Sequence, residues 1–119
     1  MHQKVNGLNQ LIKFRSKKKF IYLISPNKIK HNSFYNQLKK IFKLNKVAFF
    51  QLRLKKENKK NITVIAKKIQ KICKKYKVKF LINDDPFIAK KVNADGCHLG
   101  QDDMLIKKAR KILKKHIIG

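Results

Sequence analysis

The chain has little acid. Six carboxylates, Glu57, Asp84, Asp85, Asp95, Asp102 and Asp103, stand against 32 lysines and arginines among 119 residues, and the formal net charge is +26. Arginine is scarce as well, confined to Arg15, Arg53 and Arg110. Proteins that read nucleic acid usually use the planar arginine fork for bidentate contacts. Its scarcity counts against a dedicated reader. Lysine here keeps company with many Ile, Asn and Phe residues, all with A/T-rich codons. An A/T-rich coding sequence, with its lysines solvated on helix faces, accounts for that mixture. A lysine-rich nucleic-acid-binding module is the alternative from another class.

No apolar run approaches the ~20 residues of a membrane helix, so no membrane partner is expected. The amino terminus has basic residues but no apolar stretch leading to a small-residue cleavage site, and no secretory signal is expected. The two cysteines, Cys73 and Cys97, are too few for a disulfide framework or a metal pair. Each lies in an apolar stretch and reads as a small core residue in a reducing cytoplasm. The hydrophobic fraction of 43% suffices for the core of one small domain.

What is present is an alternation of short apolar runs and helical patterns. Residues 1–19 read as a basic extension. Residues 20–24 form a β-type run closed by the turn cluster Ser25-Pro26-Asn27. Ser33 is a candidate N-cap for a helix carrying Phe34, Leu38, Ile41 and Phe42. A second strand opens at Val47 and is expected to continue through Lys55. Asn61 is a candidate cap for an amphipathic helix whose apolar face is Ile62, Ile65, Ala66, Ile69, Ile72, Cys73 and Tyr76. Residues 78–82 form a third strand. Asp85-Pro86 is a helix start, with Asp at the N-cap and Pro at the first helical position. Asp95-Gly96 is a turn before a short fourth strand, 97–99. A helix capped by Asp102 or Asp103 follows, and Ile117-Ile118 starts a fifth strand. Repeated βα units imply a parallel sheet, either doubly wound or a (β/α)₈ barrel. Both architectures bind ligands at the carboxyl ends of their strands.

The scarce acid is placed where such a site would be. Asp84-Asp85 and Asp102-Asp103 each lie just past a predicted strand end. Asp85 and Asp102 read as helix caps, which leaves Asp84 and Asp103 unexplained. Two carboxylates converging from neighbouring strand ends suit Mg²⁺, a hard cation that takes its remaining ligands from water and phosphate. Gln51-Leu-Arg-Leu-Lys55 is a second constellation. Strand side chains alternate faces, so Gln51, Arg53 and Lys55 point one way and Leu52 and Leu54 the other. Two cations and an amide on an inward face call for an anion, and a diphosphate suits them. An edge strand with a solvated polar face is the plainer reading. Asn83 can donate to the same anion. His98 reads as structural or as a neighbour of the site. Gly100-Gln101 permits close backbone approach to a ligand.

These residues, in this order, resemble thiamine phosphate synthase (thiamine-phosphate pyrophosphorylase). The resemblance is carried by Tyr22–Ser25, by Gln51–Lys55, by the segment from Ile72 to Asp84, and by the segment from Ala94 to Asp103. It covers residues 20–119. It implies a (β/α)₈ barrel cut after about four βα units and the start of strand 5. It implies condensation of 4-amino-2-methyl-5-hydroxymethylpyrimidine diphosphate with a thiazole phosphate, releasing pyrophosphate. By the same analogy Gln51, Arg53, Lys55 and Asn83 hold the pyrimidine diphosphate. Arg53 and Lys55 assist its departure, and Asp84 and Asp103 hold Mg²⁺. The thiazole tautomerase-like group of the same superfamily is the nearer alternative, against which Gln101, Asp103 and the full Gln-x-Arg-x-Lys set weigh. The family's serine or threonine after strand 5, its lysine on strand 6 and its glycine-rich thiazole-phosphate loops have no counterpart here. An incomplete enzyme is therefore expected, either lacking its carboxyl-terminal half or forming a homo-oligomer.

Overall fold

The structure, a computed structural model, describes residues 19–99, 110 and 117–118. Its strands are β1 (Ile21–Ile24), β2 (Val47–Leu52), β3 (Lys79–Asn83), β4 (Gly96–His98) and β5 (Ile117–Ile118). Between them run the helices α1 (Ser33–Lys43), α2 (Lys59–Lys75) and α3 (Pro86–Lys91). All neighbouring strands pair in parallel, in the order β1-β2-β3-β4-β5. A doubly wound sheet reverses its order at a switch point, whereas a barrel keeps sequence order throughout. The sequential order removes the first alternative. The fold is of the (β/α)₈ barrel class.

Strand alternation separates the two faces. Phe50 and Leu52 of β2, Phe80 and Ile82 of β3, and Cys97 of β4 join one buried cluster with Leu38, Phe42, Ala66, Ile69, Cys73, Ile88 and Ala89 from the helices. Phe50, Phe80, Ala66, Ile69, Cys73, Ala89 and Cys97 are fully inaccessible. Each large apolar side chain removed from water in this way contributes about 1.5–3 kcal/mol before entropy is counted. Leu81, one residue from Phe80, is buried but lies outside that cluster. It belongs to the inner face, with the odd-numbered residues of β2 and β3.

Local chemistry sets the boundaries. Strands β1, β3 and β4 each shift by one residue from expectation, so that Gly96, expected in a turn, opens β4, and three larger differences follow. The N-cap of α1 is Asn32, with Ser33 already helical. Backbone carbonyls do the work there: Phe34 donates to the His31 oxygen and Tyr35 to the Asn32 oxygen, both at 3.1 Å. The cap of α2 is Asn58, whose extended backbone aims Oδ1 at the Asn61 N–H, 2.7 Å away. Asn61 is therefore the donor in the cap and lies inside the helix. The third correction concerns β2, which ends at Leu52 and does not reach Lys55. Its partner strand β1 stops at Ile24, paired with Gln51. Beyond that point the donors turn to the loop after β1. Arg53 N–H meets Ser25 Oγ at 2.8 Å, and Lys55 N–H meets the Asn27 carbonyl at 3.1 Å. Helix α3 begins as expected, with Asp85 Oδ1 accepting from Ile88 N–H at 3.0 Å and Pro86 in the first turn. Of the expected 1–19 extension, Lys19 is the described residue. Its ammonium donates to the Tyr76 and Lys77 carbonyls at 2.8 and 2.7 Å, closing the end of α2.

Candidate functional site

Inner-face side chains meet at the carboxyl ends of the strands. Tyr22 and Ile24 come from β1, Gln51 from β2, Asn83 from β3 and His98 from β4. Arg53 and Asp84 follow β2 and β3 directly. Together they line an open pocket of about 420 Å³. Larger hollows lie elsewhere, one between the end of α2 and Asp95 and another between α2 and α3. Neither draws on the carboxyl ends of several strands, where barrel folds place their chemistry.

Gln51 is the deepest polar group of the pocket, at 3% exposure, and its Nε2 donates to the Tyr22 hydroxyl at 3.0 Å. Arg53 keeps the parity of Gln51 although the strand has ended, because its N–H is pinned to Ser25 Oγ. Its guanidinium is exposed at the pocket wall. Asn83 Nδ2 donates to Asp84 Oδ2 at 3.1 Å. Asp84 has a left-handed backbone, φ 61°, and its N–H is tied to the His98 carbonyl at 2.8 Å. A non-glycine residue in that region is held there at a cost, as often occurs at working sites. The result is a carboxylate standing at the rim between β3 and β4.

Gln51, Arg53, Asn83 and Asp84 are thus brought together. Lys55 is not: it is exposed, past the end of β2, and does not line the pocket. Asp103, with Asp102, Gly100 and Gln101, lies outside the described residues. Among the described residues no group of three or more His, Cys, Asp or Glu side chains is placed to hold a metal ion. Tyr22 and Ile24 were missed, although the alternation that sorted β2 also puts them on this face. His98 lines the pocket directly, nearer the site than its small neighbours suggested. On the opposite face of β4, burial pushes the Cys97 thiol up to about 12, and the carboxylates of Asp84 and Asp85 add to the shift against a hydrogen bond to the Asp85 backbone. Such a thiol stays protonated at neutral pH and is no nucleophile.

The family described as thiamine monophosphate synthase matches residues 21–119. The chain belongs to the thiamine monophosphate synthase family. It is similar to a thiamine-phosphate synthase of Pelagibacter ubique, with 66% identity over 102 residues, covering 86% of this chain and 49% of that protein. A thiamine-phosphate synthase of Fusobacterium nucleatum is 45% identical over 101 residues, 83% of this chain and 48% of that protein. Among solved structures, a thiamine phosphate pyrophosphorylase from Pyrococcus furiosus superposes with a TM-score of 0.72 at 27% identity, over 89% of this chain and 50% of that one. The chain thus spans about half the length of the thiamine monophosphate synthase relatives it matches.

Proposed function

We propose that this chain carries the pyrimidine-diphosphate and Mg²⁺ end of a thiamine phosphate synthase site. The reaction is the transfer of the pyrimidinylmethyl group from its diphosphate to the nitrogen of a thiazole phosphate. The CH₂–O bond breaks with both electrons leaving on pyrophosphate, and the thiazole nitrogen lone pair forms the new C–N bond. The observation that carries this reading is the convergence of Gln51, Arg53, Asn83 and Asp84 on one pocket at the strand ends.

The roles follow from the chemistry of each group. Arg53 offers a planar fork to phosphate oxygens, and Lys55 adds a point charge from the rim beyond β2. Asn83 is free to donate its amide to the diphosphate once the Asp84 carboxylate turns to a cation. Gln51 holds the ring. Asp84, joined by Asp103, would hold Mg²⁺. A single exposed carboxylate at a strand end fits that ion, which keeps water and takes phosphate oxygens for most of its shell. When bound, Mg²⁺ neutralises charge on the departing diphosphate. The chain's own work is positioning and charge stabilisation, with little proton transfer. Small anionic substrates are the proposed partners and the cytoplasm the proposed location. No described helix is long and apolar enough to cross a membrane. Residues 20–119 are proposed as one barrel-forming unit with 1–19 as its extension.

Calorimetry with Mg²⁺ and pyrophosphate tests the reading. Arg53→Ala and Asp84→Ala should each weaken binding about tenfold or more, and Lys55→Ala less, as expected for charge-assisted contacts. Unchanged affinity in both of the first two variants would reject the site.

A further inference from the structure

Among the described residues two polar side chains are buried, those of Gln51 and Ser25. Gln51 lines the pocket and Ser25 does not. The Ser25 hydroxyl stands instead in the hydrogen-bond ladder that leads to the pocket. Ser25 N–H donates to the Gln51 carbonyl at 2.9 Å. In a regular parallel ladder the next bond would run from Arg53 N–H to the Ser25 carbonyl, and a later one from Lys55 N–H to the Asn27 carbonyl. The later bond is present, at 3.1 Å. The earlier one is altered, because Arg53 N–H meets Ser25 Oγ at 2.8 Å. A side-chain hydroxyl has taken the place of a backbone carbonyl.

The direction of this bond is fixed. A backbone N–H can only donate, so Oγ is the acceptor. The hydroxyl's own hydrogen is used on the Pro26 carbonyl, 3.0 Å away. β1 ends at Ile24, and the chain then turns through Ser25-Pro26-Asn27. A hydroxyl on its own rotor reaches an amide that a turning backbone no longer faces. The consequence falls on the residues past the end of β2. Leu54 still packs on the core cluster and Arg53 still lines the pocket, as strand alternation requires.

We propose that Ser25 is a positioning residue for the phosphate-binding arginine: its hydroxyl holds the Arg53 main chain in the ladder, so that the guanidinium is set at the pocket before a diphosphate arrives. This rests on the pyrimidine-diphosphate reading above and adds to it a residue that touches no ligand. A cation fixed in place beforehand loses less freedom on binding, and the affinity gains by that amount.

The test is a double-mutant cycle on the full chain, with Mg²⁺ and pyrophosphate titrated by calorimetry. Ser25→Ala, which removes Oγ alone, should weaken binding about fivefold, the scale of one hydrogen bond. It should weaken binding by the same factor in an Asp84→Ala background, but by less than about twofold in an Arg53→Ala background. Unchanged affinity in Ser25→Ala overturns the proposal. So does an equal loss in the Arg53→Ala background, which would mark Ser25 as a general support of the pocket. Hydrogen exchange on the unaltered chain gives a second reading that needs no variant to fold. Arg53 N–H, though outside β2, should exchange about fivefold or more slower than an open amide, and exchange at the open rate overturns the proposal. An unaltered chain that binds no pyrophosphate, or an Arg53→Ala variant that binds it equally well, overturns the proposed function and this inference together. A clear Arg53→Ala loss without a Ser25→Ala loss overturns this inference alone.

Discussion

Asp95 grips Phe80 at both ends of its peptide unit: its N–H donates to the Phe80 carbonyl at 2.8 Å, and its Oδ2 accepts the Phe80 N–H at 2.7 Å. Phe80 is wholly inaccessible, so its N–H has no water to turn to. The pair sets β4 against β3 one step before the ladder begins at Gly96. Asp95→Ala should cost about 1–3 kcal/mol, the price of a stranded buried donor. Urea unfolding measures it as a lower midpoint at unchanged slope.

Lys77 occupies a left-handed position, φ 57°, directly after the cap of α2. Glycine avoids the clash that such a φ imposes on a Cβ, about 1–2 kcal/mol, less its greater entropy when unfolded. Lys77→Gly also removes a charge beside the Lys19 ammonium, whose pKa is lowered by burial and by Lys77. The backbone bonds at this corner survive the change. The variant should gain about 0.5–1 kcal/mol, whereas Lys71→Gly in the exposed interior of α2 should lose about 1 kcal/mol. Thermal melts of the pair give the comparison.

Asp84 shares that conformation, but there the strain coincides with the proposed cation ligand. Asp84→Gly should leave stability unchanged or raise it by up to about 1 kcal/mol. The same variant should lose the Mg²⁺ dependence of pyrophosphate binding. A variant that is less stable yet still binds in a Mg²⁺-dependent way would reverse the assignment. Melting and calorimetry on one preparation decide it.

Both thiols are held protonated by the fold. Burial pushes Cys73 up to about 12, with Asp95 adding to it, and Cys97 likewise to about 12, from an ordinary 9.0. Below about pH 9 both folded and unfolded states keep the proton, and this contribution is intact. Above that value the unfolded thiols ionise while the folded ones do not, so stability falls as pH rises toward 12. A double Cys73→Ala, Cys97→Ala variant should lack that part of the alkaline slope. Thiol reagents at pH 8 should label the native chain slowly and the unfolded chain fast.

Much of this was legible because two periodicities are written into the chain. The apolar face of α2, from Ile62 to Tyr76, is buried or half-buried, and Lys67, Lys68, Lys71, Lys74 and Lys75 face water. The alternation in β2 put Gln51 and Arg53 on one face and Leu52 on the other. It failed at Lys55 because a strand persists only while its neighbours do, and β1 ends opposite Gln51. The caps at Asn32 and Asn58 were misassigned because two candidate residues stand at each helix start, Asn32 and Ser33 at α1 and Asn58 and Asn61 at α2. Which one is chosen depends on where the preceding loop delivers the backbone.

The sequence by itself determined the elements, the face each residue shows and the polar set Gln51, Arg53, Asn83 and Asp84, since these depend on local spacing and residue chemistry. Only the tertiary structure decided the strand order that separates a barrel from a doubly wound sheet, because that order depends on which strands pair across long separations. It alone brought Tyr22 to Gln51, which stands 29 residues further along the chain. It alone showed Asp95 closing on Phe80. These contacts form when parallel strands come into register, and no local pattern encodes that register.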